Sequence, residues 1–69
     1  MAPQPPEPSE LSELSSIASS LEQIGRRVTV LADAATAARR DEIASNLIAV
    51  ERAVLGAVRR LERMLATGR

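Results

Sequence analysis

The chain has 69 residues, with nine arginines, nine acidic residues and no lysine, so its formal net charge at pH 7 is zero. It contains no histidine, cysteine or aromatic residue, which removes disulfides, the usual zinc ligands, and the His, Cys and Tyr side chains that act as catalytic bases or nucleophiles. We therefore expect no enzymatic activity, no metal and no cofactor. Without excess positive charge, nucleic acid is also not an expected partner.

Localisation follows from the hydropathy pattern. The sequence has no apolar run long enough to span a membrane and no basic-then-apolar order typical of a secretion signal. We expect a cytoplasmic protein that does not contact membranes. The composition, rich in alanine and arginine, suggests a GC-rich bacterial source.

The first eight residues contain all four prolines. Proline removes amide donors and disfavours helix at the preceding residue, so residues 1–8 are predicted to be a disordered tail. Ser9 is the expected N-cap of the first helix, with Glu10 and Glu13 in the first turn.

Apolar residues then recur at spacings of three and four in two segments. This periodicity predicts two coiled-coil helices, about 9–38 and 42–66, followed by a frayed end at 67–69. The predicted hairpin seam comprises Leu14, Ile17, Leu21, Ile24, Val28, Leu31, Ala35 and Ala38 in the first helix and Ile43, Leu47, Val50, Val54, Ala57, Leu61 and Met64 in the second.

The apolar frame changes between Ala38 and Ile43, which indicates either a turn at about 39–41 or a stutter inside one long helix. Arg39 and Arg40 suit the end of one helix, and the acidic residues after them suit the start of another. The first 38 residues carry net charge −3 and the remainder +3. We predict an antiparallel hairpin, although no Gly, Pro or Asn marks the corner; a continuous helix is the alternative.

The second helix carries a further apolar line, which predicts a second contact surface. Its members are Ile48, Leu55, Val58 and Leu65. We expect this line to be the interface of a homodimeric four-helix bundle. A groove for a different protein partner is the alternative.

Gly25 and Gly56 lie inside helical stretches, where each costs about 1 kcal/mol relative to alanine. Close approach of a neighbouring helix would explain them, as would a kink. If Gly25 instead ended a helix, residues 27–31 would read as a strand. The chain would then be a dimeric ribbon-helix-helix DNA-binding regulator, which is the alternative function.

Arginine pairs are the remaining candidates for ligand contacts, since guanidinium groups match phosphate and carboxylate geometry. Arg26, Arg27, Arg59 and Arg60 are the candidate contacts to an anion or an acidic partner. Solvation and interhelical ion pairs with Glu22, Glu51 and Glu62 explain the same residues without a ligand.

Together these patterns predict an all-α protein, an antiparallel two-helix coiled-coil hairpin that dimerises into a four-helix bundle. The expected function is a small, non-enzymatic protein–protein interaction module, an adaptor or regulator that acts through a helical surface. The expected partners are a second copy of the chain and a different protein.

Overall fold

The chain folds into two helices that pack against each other. A computed structural model, which describes residue 4 and residues 6–67, contains α1 (Pro8–Ala37) and α2 (Asp41–Thr67). The hairpin prediction is confirmed, and the single continuous helix is excluded. The observed bounds lie within one residue of the predicted 9–38 and 42–66. Residues 27–31 are helical, so the strand that a ribbon-helix-helix fold needs is not formed.

The start of α1 lies earlier than predicted. Pro8 occupies the first helical position, where its missing amide hydrogen is not needed. Glu7 is the N-cap, and its backbone N–H donates to the Glu10 carboxylate at 3.0 Å, as in a capping box. Ser9 is therefore inside the helix and is not its cap. Of the predicted tail, residues 1–3 and 5 lie outside the described residues, as do residues 68–69 of the predicted frayed end.

The corner between the helices is a Schellman motif built without glycine. The Arg40 N–H donates to the Ala35 carbonyl at 2.9 Å, and the Arg39 N–H donates to the Thr36 carbonyl at 3.1 Å. Arg39 has φ 58°, the left-handed conformation that this motif requires. The Arg40 carbonyl then accepts the Ala44 N–H at 2.8 Å, so α2 begins immediately. Hydrogen bonding of the backbone thus produces a turn that the residue types did not signal.

The core between the helices is small and made of small side chains. Within the described residues, the buried hydrophobic side chains are Ala18, Ala32, Ala35, Ala44 and Val58. No large side chain there is completely buried. The hairpin therefore obtains little hydrophobic stabilisation from its own core.

The two glycines differ in their surroundings. A Cβ on Gly25 would lie 3.4 Å from Val54 Cγ1, whereas a Cβ on Gly56 would meet nothing within 4 Å. The predicted close approach of a neighbouring helix is thus found at Gly25, although a methyl group there would touch Val54 without a severe clash. No such approach is found at Gly56.

Neither described helix has an apolar stretch of the length needed to traverse a bilayer.

We expect Arg39→Gly to raise the free energy of unfolding by about 0.5–1 kcal/mol, because glycine adopts positive φ without the steric cost of a Cβ. Urea denaturation at a fixed protein concentration measures the change. Arg39→Ala is the control, since it removes the charge and keeps the Cβ. An equal gain in both variants would show that charge, and not backbone strain, is responsible.

We expect Gly56→Ala to raise the free energy of unfolding by about 1 kcal/mol through helix propensity alone. Gly25→Ala should raise the free energy of unfolding by less, because its methyl group must be fitted against Val54. Thermal denaturation of the two variants at matched concentration compares them. A larger gain at Gly25 than at Gly56 would contradict the close approach of the helices at that point.

Candidate interaction surface

The residues between the two helices follow an unbroken seven-residue repeat. They are Leu11, Leu14, Ala18, Leu21, Gly25, Val28, Ala32 and Ala35 in α1 and Ala44, Leu47, Glu51, Val54, Val58, Leu61 and Leu65 in α2. Apart from Thr29, every helical residue that is not exposed belongs to this set. The observed seam is therefore that of an antiparallel coiled coil, with alternating steps of three and four residues.

The structure places only part of the predicted hairpin seam between the helices. Leu14, Leu21, Val28, Leu47, Val54 and Leu61 lie there, together with Ala35. The other large predicted seam residues, Ile17, Ile24, Leu31, Ile43, Val50 and Met64, are 42–58% exposed. Ala38 and Ala57 are also exposed. The prediction for these residues is corrected: they flank the seam and do not fill it.

The reason for the correction is that small residues occupy the positions of closest helix approach. Ala18, Gly25 and Ala32 alternate with larger residues in α1, and a Cβ added at Gly25 would be in contact with Val54 of α2. Side chains at the contact set the interaxial distance, so alanine and glycine permit a closer approach than isoleucine. A seam predicted by the hydrophobicity of each position favours isoleucine and does not detect the small residues. The feature of the sequence that indicated the true seam was the exact seven-residue spacing of these small residues.

The six exposed side chains form a single surface, which we call the apolar face: Ile17, Ile24, Leu31, Ile43, Val50 and Met64. Each of the six lies one residue before a seam residue, always at the same position of the seven-residue repeat. In an antiparallel coiled coil, the residues of both helices at this position lie on the same side of the pair. Leu31 and Ile43 indeed line a common groove whose floor includes Ala35 and Leu47. Two rows of aliphatic side chains thus border the same side of the hairpin.

The opposite side, which we call the polar face, mixes charged and apolar residues. One groove there is lined by Glu22, Arg26, Thr29, Leu55 and Glu62 among others, and a second by Thr36, Ile48 and Arg52 among others. Its two exposed large aliphatic residues, Ile48 and Leu55, are separated from the apolar face by the seam. Val30, 67% exposed, belongs to neither face. Six of the nine exposed large hydrophobic residues of the described chain therefore lie on the apolar face.

The predicted second contact line is divided by the structure. Val58 is only 4% exposed and lies in the hairpin seam, as does the half-buried Leu65. Neither is available to a partner in the way that the sequence suggested. Ile48 and Leu55 remain exposed, at 36% and 48%, on the polar face. In the structure Val58 and Leu65, and not the preceding Ala57 and Met64, lie between the helices, which removes both from the predicted line.

Glu51 is the one charged residue of the seam. Its carboxylate accepts a hydrogen bond from the Thr29 hydroxyl, which also lies 3.1 Å from the Gly25 carbonyl oxygen. A polar group at such a position favours one helix register over others. Instead of the expected ion pair with an arginine, the recorded partner of Glu51 is a neutral hydroxyl group.

The candidate anion contacts Arg26, Arg27, Arg59 and Arg60 are all exposed. Adjacent residues of a helix point about 100° apart, so the two members of each pair face different directions. Arg26 borders the groove on the polar face, whereas Arg27 follows Ile24 by three residues and borders the apolar face. The two members of a pair therefore do not face one common point, and contact of these arginines with an anion or an acidic partner stays a prediction.

No protein-family model matches the chain, and comparison with curated proteins and with solved structures finds no significant match. Among residue 4 and residues 6–67, no three acidic side chains converge as a metal site would require.

We expect Thr29→Val to lower the free energy of unfolding by about 1 kcal/mol, because the Glu51 carboxylate loses its hydrogen-bond donor in the seam. In a Glu51→Leu background the same substitution should leave the free energy of unfolding almost unchanged. A double-mutant cycle followed by urea denaturation measures this coupling. Equal losses in the two backgrounds would mean that the hydrogen bond contributes no stability.

Proposed function

We propose that this protein is a small, non-enzymatic interaction module, an adaptor or regulator, that acts by binding a helical protein surface through its apolar face. The proposal is supported by one observation above all: six large aliphatic side chains are 42–58% exposed on one side of a two-helix hairpin. Contiguous exposed apolar surface of this kind is typical of protein interaction sites.

The energetic scale supports binding. Complete burial of one such side chain stabilises by about 1.5–3 kcal/mol, so covering six that are half exposed contributes several kcal/mol before the entropy cost of association. The face consists of two parallel rows, with Leu31 on α1 and Ile43 on α2 bordering a groove. Such a shape suits a helix whose apolar residues recur every three or four positions.

The charges of the chain support a protein partner over nucleic acid. Acidic and basic residues balance over the whole sequence, and the paired arginines point in different directions. DNA binding depends on concentrated positive charge that releases counterions. The composition suggests a GC-rich bacterial source, and we expect the module to act in the cytoplasm.

The test compares two matched substitutions, Leu31→Glu on the apolar face and Leu55→Glu on the polar face. Both leucines are about half exposed, at 58% and 48%, so the isolated hairpin should tolerate either change. Tagged wild type and both variants would be crosslinked in cells of the source organism and analysed by quantitative mass spectrometry. We expect partners shared by wild type and Leu55→Glu to fall at least about tenfold with Leu31→Glu.

Retention on an immobilised polyanion is the complementary measurement. An adaptor of zero net charge should elute at low salt, whereas a DNA-binding regulator should show a steep salt dependence. Partners that survive Leu31→Glu but are lost with Leu55→Glu would move the functional surface to the polar face and contradict the proposal.

A further inference from the structure

We propose that the apolar face is covered by a second copy of this chain, so that two hairpins pack face to face as a four-helix bundle. This inference rests on the proposed function, because it names the first occupant of the same surface. It differs from the sequence-based prediction in the residues used: the interface is formed by the apolar face and not by Ile48, Leu55, Val58 and Leu65.

The first support is the small size of the hydrophobic core within one hairpin. The buried hydrophobic residues described are four alanines and one valine, and no large side chain is completely buried. Chains with about 60 residues available to pack, and without disulfides or metal, usually need association to be stable. Six further large apolar side chains lie 42–58% exposed on the apolar face, where only another molecule can bury them. A second copy of the same chain is available wherever the protein is made, so it is the first molecule that can cover this face.

The second support is the size of the face. The Cα positions fit a box of 49 × 23 × 12 Å, and the broad side of this box, about 1,100 Å², is an upper limit for the area of the apolar face. A standard stable interface buries about 800 Å² on each partner. The upper limit exceeds this value, so the dimensions of the hairpin are compatible with a dimer through one broad side.

The third support is the distribution of charge around the face. Charged residues lie along its border and at both of its ends. Glu7, Glu10 and Glu13 line a groove with Met64 at one end, and Arg40 lines the groove of Leu31 and Ile43 at the corner. Helical geometry places Arg27 and Arg60 along the border. These are three acids and three bases, so apposing two copies does not bring together an excess of one sign. With zero net charge on the chain, long-range repulsion does not oppose association of identical copies.

The geometry of such a dimer follows from symmetry. A two-fold axis parallel to the broad sides brings the apolar faces of both copies together, so every interface residue is used twice. The axis can run along the helices or across them. In both cases every pair of neighbouring helices is antiparallel, as in up-down-up-down four-helix bundles. The two polar faces then lie on opposite outer surfaces of the bundle.

Analytical ultracentrifugation of the full chain is the first test. Wild type should sediment as a species of about 15 kDa, twice the 7.4 kDa of one chain. Leu31→Glu should raise the dissociation constant at least about 100-fold, because each dimer loses two apolar contacts and gains two acidic groups. The matched variant Leu55→Glu should sediment as wild type does. Dissociation by Leu55→Glu with no effect of Leu31→Glu would overturn the inference.

A second measurement avoids variants that unfold when they dissociate. Wild-type protein labelled at its methyl groups is mixed with unlabelled protein, and isotope-filtered NOE spectra detect contacts between copies. Intermolecular NOEs should involve the methyl groups of Ile17, Ile24, Leu31, Ile43 and Val50. Intermolecular NOEs confined to Ile48 and Leu55, or a wild-type chain that is monomeric at about 100 µM, which is far above typical dimer dissociation constants, would overturn the inference.

The two proposals fail in different ways. A monomeric chain whose crosslinked partners still depend on Leu31 would refute the dimer and leave the interaction module standing. A dimer through the apolar face with no other protein lost on Leu31→Glu would support the dimer and refute the adaptor. Tests of both are therefore needed on the same three proteins.

Discussion

Close approach of the two helices at small seam residues is the interaction on which the rest of the structure depends. Ala18, Gly25 and Ala32 allow α2 to pack directly against α1, with Val54 next to Gly25. With these small residues facing α2, Ile17 and Ile24 lie beside the seam and stay 42% and 45% exposed. Packing of the small residues therefore decides which side of each helix is left to solvent.

The exposed apolar face is a direct consequence of that choice. If the helices met through Ile17, Ile24 and Leu31, those side chains would be buried and the hairpin would have a larger core of its own. Because they flank the seam, these side chains stay exposed, while the residues buried between the helices are small. The small buried core of the hairpin and the exposure of the apolar face thus have the same physical origin.

Polar groups refine this arrangement without determining it. Glu51 interrupts the apolar seam and is held by Thr29 on the facing helix, which ties the register of one helix to the other. At the corner, hydrogen bonds from Arg39 and Arg40 to the last turn of α1 satisfy its carbonyl groups. This turn needed no glycine because the backbone bonds hold Arg39 in its unfavourable conformation. Residue preferences for turns consequently did not reveal it, whereas the change of apolar frame did.

The sequence by itself determined that apolar residues recur with helical periodicity and that their frame changes near residue 39, and it favoured an antiparallel hairpin over one continuous helix. Periodicity, charge at helix ends and opposite net charges of the halves depend on local chemistry, which a linear pattern records well. Only the tertiary structure decided which of two overlapping frames fills the seam. Both frames share Leu14, Leu21 and Val28 and differ by whether Ala18 or Ile17 faces the partner helix. That choice depends on how closely two backbones can approach, which is a property of the packed pair and not of either helix alone.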